Sequence, residues 1–233
     1  MSESIAQVVA PPRRVLVSDF DGTIARRDFY RAFVDRLMPG EEAAIWADYH
    51  AGRITHFDAM AAIFSHVSTD EATLLELIET LKIEPQLAEA VALLRREGWE
   101  VVVVSAGCRW YIDRMLETAG VELEVHSNPG SIDSTGRLRM RRARETPYYC
   151  HEVGVDKPGA VRALQAAGCI VAYAGDGPLD EPPAMLVPPE LRFARSELAQ
   201  SLSERGEGFQ PFDRWREIAE KLAAIPASRL MAS

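Results

Sequence analysis

The sequence predicts an α/β protein: a doubly wound parallel sheet with an α-helical segment inserted after its first strand. Three observations predict it. The four consecutive valines at 101–104 show no polar alternation, the mark of a strand buried on both faces, as parallel strands are. From about residue 85 onward, helical and strand-like stretches alternate as repeated β-α-β units do. Residues 28–81, in contrast, are dense in Ala, Phe, Ile, Leu and Glu at helical spacing, with no strand pattern among them.

The elements follow in order. Residues 15–18 form an apolar strand that runs into Asp19-Phe20-Asp21-Gly22-Thr23. Three or four helices fit residues 28–81, with breaks at Pro39-Gly40, at Gly52 and around Ser68-Thr69-Asp70, where Ser68 or Thr69 suits a helix cap. A helix from residue 85 stops at Gly98, and a strand covers 99–104. A helix near 110–118 ends by Gly120, followed by a short strand at 123–126 and a polar, hairpin-like loop through 131–139. The helix over 158–167 leads through Gly168 to a strand at 170–174. A strand near 191–194 and a terminal helix near 212–224 complete the pattern. The predicted division is a sheet-bearing core of residues 13–27 and 82–233, with a helical cap of residues 28–81.

Composition narrows the function classes. At 233 residues, 47% hydrophobic and 26% charged, the chain has the balance of a globular protein with a full core. A net charge of -9 argues against nucleic acid or an anionic membrane as partner, since both favour a basic surface. The three cysteines, Cys108, Cys150 and Cys169, lack metal-ligand spacing and suit free thiols in a reducing cytoplasm. Residues 1–14 lack the apolar stretch of a signal peptide or membrane span and read as a flexible lead-in. His50, His56 and His66 are irregularly spaced and form no zinc pattern, and the basic run at 137–144 reads as a solvated face.

In doubly wound sheets, function gathers at the carboxyl ends of the strands, and each of the three best strands here ends in reactive groups. The first delivers Asp19 and Asp21, two apart and expected to converge from one strand face. At ~4 Å two carboxylates repel by roughly 4 kcal/mol at an effective dielectric of 20, so the pair calls for a cation, most simply magnesium. The second strand delivers Ser105, Ala106 and Gly107. The third delivers Gly175-Asp176-Gly177, with Asp180 four residues beyond Asp176. Lys157 precedes a helix whose first position suits Pro158. A hydroxyl, a lysine and four carboxylates on one rim make a magnesium-and-phosphate site.

Asp-Phe-Asp-Gly-Thr, Val-Val-Val-Val-Ser, Asp-Lys-Pro and Gly-Asp-Gly-Pro-Leu-Asp, in this order, resemble the four motifs of the haloacid dehalogenase superfamily over residues 15–195. The helical insert after the first motif resembles the cap of its phosphoserine phosphatase branch. Ser105-Ala106-Gly107, His126-Ser127-Asn128, Lys157-Pro158 and Phe193-Ala194-Arg195 resemble the methionine-salvage phosphatases of that branch.

The resemblance implies a Rossmann-like core and a magnesium-dependent phosphatase acting on a small phosphorylated metabolite. It implies Asp19 as nucleophile and Asp21 as acid and base. Magnesium would be held by Asp19, the Asp21 carbonyl and Asp176, with Asp180 steadying the water shell or orienting Lys157. Ser105 and Lys157 would bind the phosphoryl group beside Ala106 and Gly107, and Asp28 would read the substrate. The second acid distinguishes phosphoryl transfer from dehalogenation, because a departing halide needs no proton. Residues 57–62 read Phe-Asp-Ala-Met-Ala-Ala, where such enzymes use an arginine for the phosphoserine carboxylate. Phosphoserine is therefore the second-ranked ester, beside other phosphoalcohols, and a non-catalytic phosphometabolite-binding protein is the alternative of another class. Pro182 and Pro183 are expected to interrupt the helix after the last motif and to disturb the metal site.

Overall fold

The structure is a computed structural model that describes residues 11–226. Of the flexible lead-in expected over residues 1–14, residues 1–10 lie outside the described residues, whereas the Arg13 carbonyl accepts from the Ile170 amide and Arg14 opens the first strand. Strand β1 (Arg14–Ser18) is followed by α1 (Phe29–Leu37), α2 (Ala43–His50), α3 (His56–His66) and α4 (Glu71–Thr80). Then come α5 (Leu87–Arg96), β2 (Trp99–Cys108), α6 (Arg109–Thr118) and β3 (Glu124–Asn128). Two small antiparallel hairpins pair β4 (Gly130–Ile132) with β5 (Leu138–Met140), and β6 (Tyr149–Cys150) with β7 (Gly154–Val155). The chain continues through α7 (Lys157–Ala166), β8 (Ile170–Gly175), α8 (Glu181–Ala184), β9 (Arg192–Ala194), α9 (Ser196–Glu204), β10 (Gln210–Pro211) and α10 (Trp215–Ala223).

Six strands form one parallel sheet in the order β10-β9-β8-β1-β2-β3, with β1 flanked by β8 and β2. Alternate side chains feed opposite cores. Leu16, Val101, Val103, Ala172 and Ala174 pack on one face, and Val15, Val17, Val102, Val104 and Tyr173 on the other. This two-sided burial is why the valine run shows no polar alternation. On the first face the α10 indole of Trp215 donates to Ser18 Oγ at 3.0 Å, satisfying a polar side chain in a dry interior.

Helices α1–α4 lie between two strands of chain that pair with each other: Ala25 bridges Ile83, and the Arg26 and Arg27 amides donate to the carbonyls of Lys82 and Leu81. Their interior is aromatic, with Phe29, Phe33 and Phe64 packed at centroid distances of 5.3–6.0 Å. Helix α4 is capped by Asp70, which accepts from the Thr73 amide at 2.7 Å, not by Ser68 or Thr69.

Two further expectations need correction, and four elements were not foreseen. The basic run is not simply a solvated face. Arg137 donates to the carbonyls of Ser65 and His66, both at 2.6 Å. Arg142 bonds Thr55 Oγ1 at 2.8 Å and Asp58 at 3.0 Å, and lies over the Phe57 ring. These arginines fasten the β4–β5 and β6–β7 region to α3. The two prolines do not break a helix: they occupy the first turn of α8, where amides have no intrahelical acceptor to lose. Finally, α9 and the strands β6, β7 and β10 escaped the sequence pattern. Two-residue strands carry no periodicity, and α9 buries only Leu198 and Leu202.

Candidate active site

One cavity of about 930 Å³ lies at the carboxyl ends of β1, β2 and β8. It is lined by every residue that the sequence singled out: Asp19, Asp21, Asp28, Ser105, Ala106, Gly107, Lys157, Asp176 and Asp180. Parallel pairing brings them together. Ser18 stands level with Val103 of β2 and Ala174 of β8, so the next residues of all three strands emerge on one rim. The Asp19 amide donates to the Ala174 carbonyl at 2.9 Å, which seats its carboxylate one step past the last strand pair.

Lys157 is 5% exposed and donates to Asp180 at 2.6 Å and to Asp19 at 2.8 Å. Burial opposes its charge, but the two carboxylates outweigh that and raise its pKa above the ordinary lysine range. Carboxylate oxygens of Asp19, Asp176 and Asp180 lie within 4.8 Å of one another. Fully ionised, three carboxylates against one ammonium would leave two negative charges uncompensated. Burial and this crowding of charge both favour the protonated carboxyls. Burial and then Asp180 push the Asp19 carboxyl well above its usual range, and burial and then Asp180 push Asp176 up to about 7.

Asp180, 1% exposed, has no unused acceptor position. One oxygen accepts from Lys157 and from Tyr173 Oη at 2.5 Å; the other accepts from the amides of Asp176 and Gly177, both at 3.0 Å. It therefore orders both the lysine and the turn that presents Asp176. Thr23 Oγ1 donates to Asp176 at 3.3 Å. Gly22 has φ +67°, and any Cβ there would collide with the Asp176 carboxylate, so the turn requires glycine twice over.

Asp21 is not aimed by strand alternation. β1 ends at Ser18, and Asp21 sits in the following turn, with its carboxylate taken up by the Phe29 amide at 3.0 Å and by Tyr111 Oη. Its side chain is outside the three-carboxylate group. Burial first, then the charge of Asp28, raises its pKa to about 7, while Tyr111 and the Phe29 amide draw it back. Asp28 is the N-cap of α1 and accepts from the Arg31 amide at 3.1 Å while bordering the cavity. Ser105 Oγ accepts from the Gly107 amide at 3.0 Å and, among the described residues, donates to no acceptor. The register between β2 and β3 shifts from Val104 to Cys108, which frees residues 105–107 to curve over the cavity. Asn128 secures that curve by donating to the Ala106 carbonyl at 2.8 Å.

Tyr111, Tyr173 and Arg195 were not singled out as site residues from the sequence, although Arg195 stood in a motif. Nothing local marks them: Tyr111 lies in an amphipathic helix and Tyr173 in a buried strand. Arg195 lines the cavity and donates to the carbonyls of Asp213 and Arg26.

Buried carboxylates, a lysine and a hydroxyl at the carboxyl ends of a doubly wound parallel sheet place this protein among the α/β enzymes. Residues 16–184 match the haloacid dehalogenase-like hydrolases, and the chain belongs to that family. It is 26% identical over 211 residues to the 2-hydroxy-3-keto-5-methylthiopentenyl-1-phosphate phosphatase of Geobacillus kaustophilus, covering 89% of this chain and 94% of that one. The enzyme of the same name from Microcystis aeruginosa is 22% identical over 214 residues, with 90% and 97% covered. Among solved structures, phosphoserine phosphatase from T. onnurineus superposes with a TM-score of 0.62 at 17% identity, covering 94% of this chain and 100% of that chain.

Proposed function

We propose that this protein is a magnesium-dependent phosphomonoester hydrolase that acts on a small phosphorylated metabolite through an aspartyl phosphate at Asp19. The observation that carries the reading is the buried Asp19 carboxylate held 2.8 Å from a buried lysine in the lining of the cavity, within a group that, fully ionised, is two charges short of neutrality. A divalent cation matches that deficit and the all-oxygen donor set. Asp19, Asp176 and the Asp21 backbone carbonyl would hold magnesium. When bound, it would offset the charge of the phosphoryl group. Asp180 is assigned to positioning, because its oxygens are already engaged by Lys157, Tyr173 and two amides.

Asp19 attacks phosphorus, and the ester oxygen leaves with a proton from Asp21. A carboxyl with a pKa near 7 is protonated often enough to act as the acid and ionised often enough to act next as the base. Asp21 then takes a proton from water, which attacks phosphorus and releases phosphate from Asp19. Ser105 and Lys157 bind the phosphoryl oxygens beside Ala106 and Gly107. Residues 28–81 serve as a cap over a core of residues 13–27 and 82–233, and exclude water from the reaction.

Relatives spanning most of this chain support the enol phosphate of methionine salvage, 2-hydroxy-3-keto-5-methylthiopentenyl-1-phosphate, as the leading substrate. Phosphoserine ranks lower because residues 57–62 offer no arginine and Asp28 is engaged as a helix cap. The unpaired thiols of Cys108, Cys150 and Cys169 support a cytoplasmic setting, and no helix among the described residues is long and apolar enough to cross a membrane.

A panel of phosphate esters, assayed with and without magnesium, tests the reading. Magnesium-dependent release of phosphate is expected, reduced by about 10³-fold or more in Asp19→Asn. Folded protein without turnover of any ester would overturn it.

A further inference from the structure

Helix α2 is apolar in composition, yet none of its residues is fully buried. Trp46, Tyr49 and His50 share one of its faces at helical spacing, and all three line the cavity, with Tyr30 from α1 and His56 and Met60 from α3. These rings are not the core of the insert. That core contains Phe29, Phe33 and Phe64, each at most 1% exposed, and Tyr30 and Trp46 pack against it while staying only partly buried.

The cavity rings hold one another in place. Trp46 Nε1 donates to Tyr30 Oη at 2.5 Å, and the two rings meet edge to face at 5.6 Å. Trp46 also meets Tyr49 at 5.6 Å, and His56 lies 5.7 Å from both. His56 Nδ1 is buried without a hydrogen-bond partner, although a polar atom so placed costs free energy unless something meets it. A fixed wall of aromatic rings bordering the same cavity as Asp19 and Lys157 suits a ligand that is flat.

We propose that α2 selects phosphomonoesters whose leaving group carries a flat, conjugated or aromatic system, which stacks on the wall formed by Trp46 and Tyr49. This rests on the phosphatase reading and adds the shape of the alcohol that the enzyme releases. The wall discriminates by planarity, because a flat group brings a whole face within contact distance of a ring and a puckered one touches at a few atoms.

Benzyl phosphate and cyclohexylmethyl phosphate test this, since they match in carbon count and closely in the basicity of the leaving alcohol, and differ in planarity. The wild-type enzyme with magnesium should prefer the benzyl ester by about tenfold in kcat/KM. Trp46→Leu and Tyr49→Leu should each bring that ratio toward one, and the ratio does not depend on the fraction of folded enzyme. Equal kcat/KM for the two esters, or an unchanged ratio in both variants, overturns the planar-group inference and leaves the phosphatase reading standing. No release from any ester in the wider panel overturns the phosphatase reading, and this inference with it.

Discussion

Asp180 accepts a hydrogen bond from Lys157 at 2.6 Å, and the same ammonium reaches Asp19 at 2.8 Å. The proposed nucleophile is thus aligned through a lysine whose own place is set by a carboxylate behind it. Asp180→Asn keeps the shape but removes the charge that anchors the lysine. Its kcat should fall about 10- to 100-fold while the fold persists, as losses behind a catalytic group typically do. Steady-state kinetics on p-nitrophenyl phosphate, with circular dichroism as the folding control, check this; wild-type kcat would refute it.

Tyr111 holds Asp21 by a hydrogen bond that favours the ionised carboxylate, so it lowers a pKa otherwise raised by burial. Removing the hydroxyl in Tyr111→Phe should raise that pKa further. The basic limb of the kcat/KM profile, where Asp21 must still hold the proton that it gives to the leaving oxygen, should move to higher pH, readable from rates between pH 5 and 9. A limb that stays in place would detach Tyr111 from the proton-carrying role of Asp21.

Magnesium and pH should act together on stability. Without metal, Asp19, Asp21 and Asp176 hold protons more tightly in the folded chain than at the ordinary carboxyl value of 3.8, the latter two up to about 7. The folded state therefore binds more protons than the unfolded one between about pH 4 and 7. The stability this confers is complete below the unfolded pKa and is lost as pH rises through the folded one. The Tm of metal-free protein should fall from pH 5 to pH 8, and added magnesium should raise it far more at pH 8. Thermal melts with chelator or magnesium test this, and a magnesium gain independent of pH would count against it.

Arg142, with a side chain 17% exposed, bonds Thr55 and Asp58 and stacks on Phe57, tying α3 to the region of the small hairpins. Arg142→Ala should cost about 2 kcal/mol in urea unfolding. Asp58→Ala should overlap with it, so that the double variant loses about 1 kcal/mol less than the sum. Strict additivity would mean that the two side chains act separately.

The sequence by itself determined the layers of the fold and the roster of chemical groups. Both are local properties: a valine run without polar alternation, acids immediately past strand ends, and glycines and capping residues between helices are visible within a few positions. What the acids do to one another was decided only in three dimensions. Asp21 meets Tyr111 from 90 residues away, and Asp180 completes its four hydrogen bonds only where β8 and α7 come together. The arginines at 137 and 142 looked solvated because their partners lie on a helix distant in the chain. Composition likewise shows that residues 28–81 are rich in aromatic side chains; packing alone separated the buried phenylalanines from the Trp46 and Tyr49 wall. Periodicity reports which face of an element is apolar, whereas only tertiary contact determines whether that face is closed by another side chain or left open to a ligand.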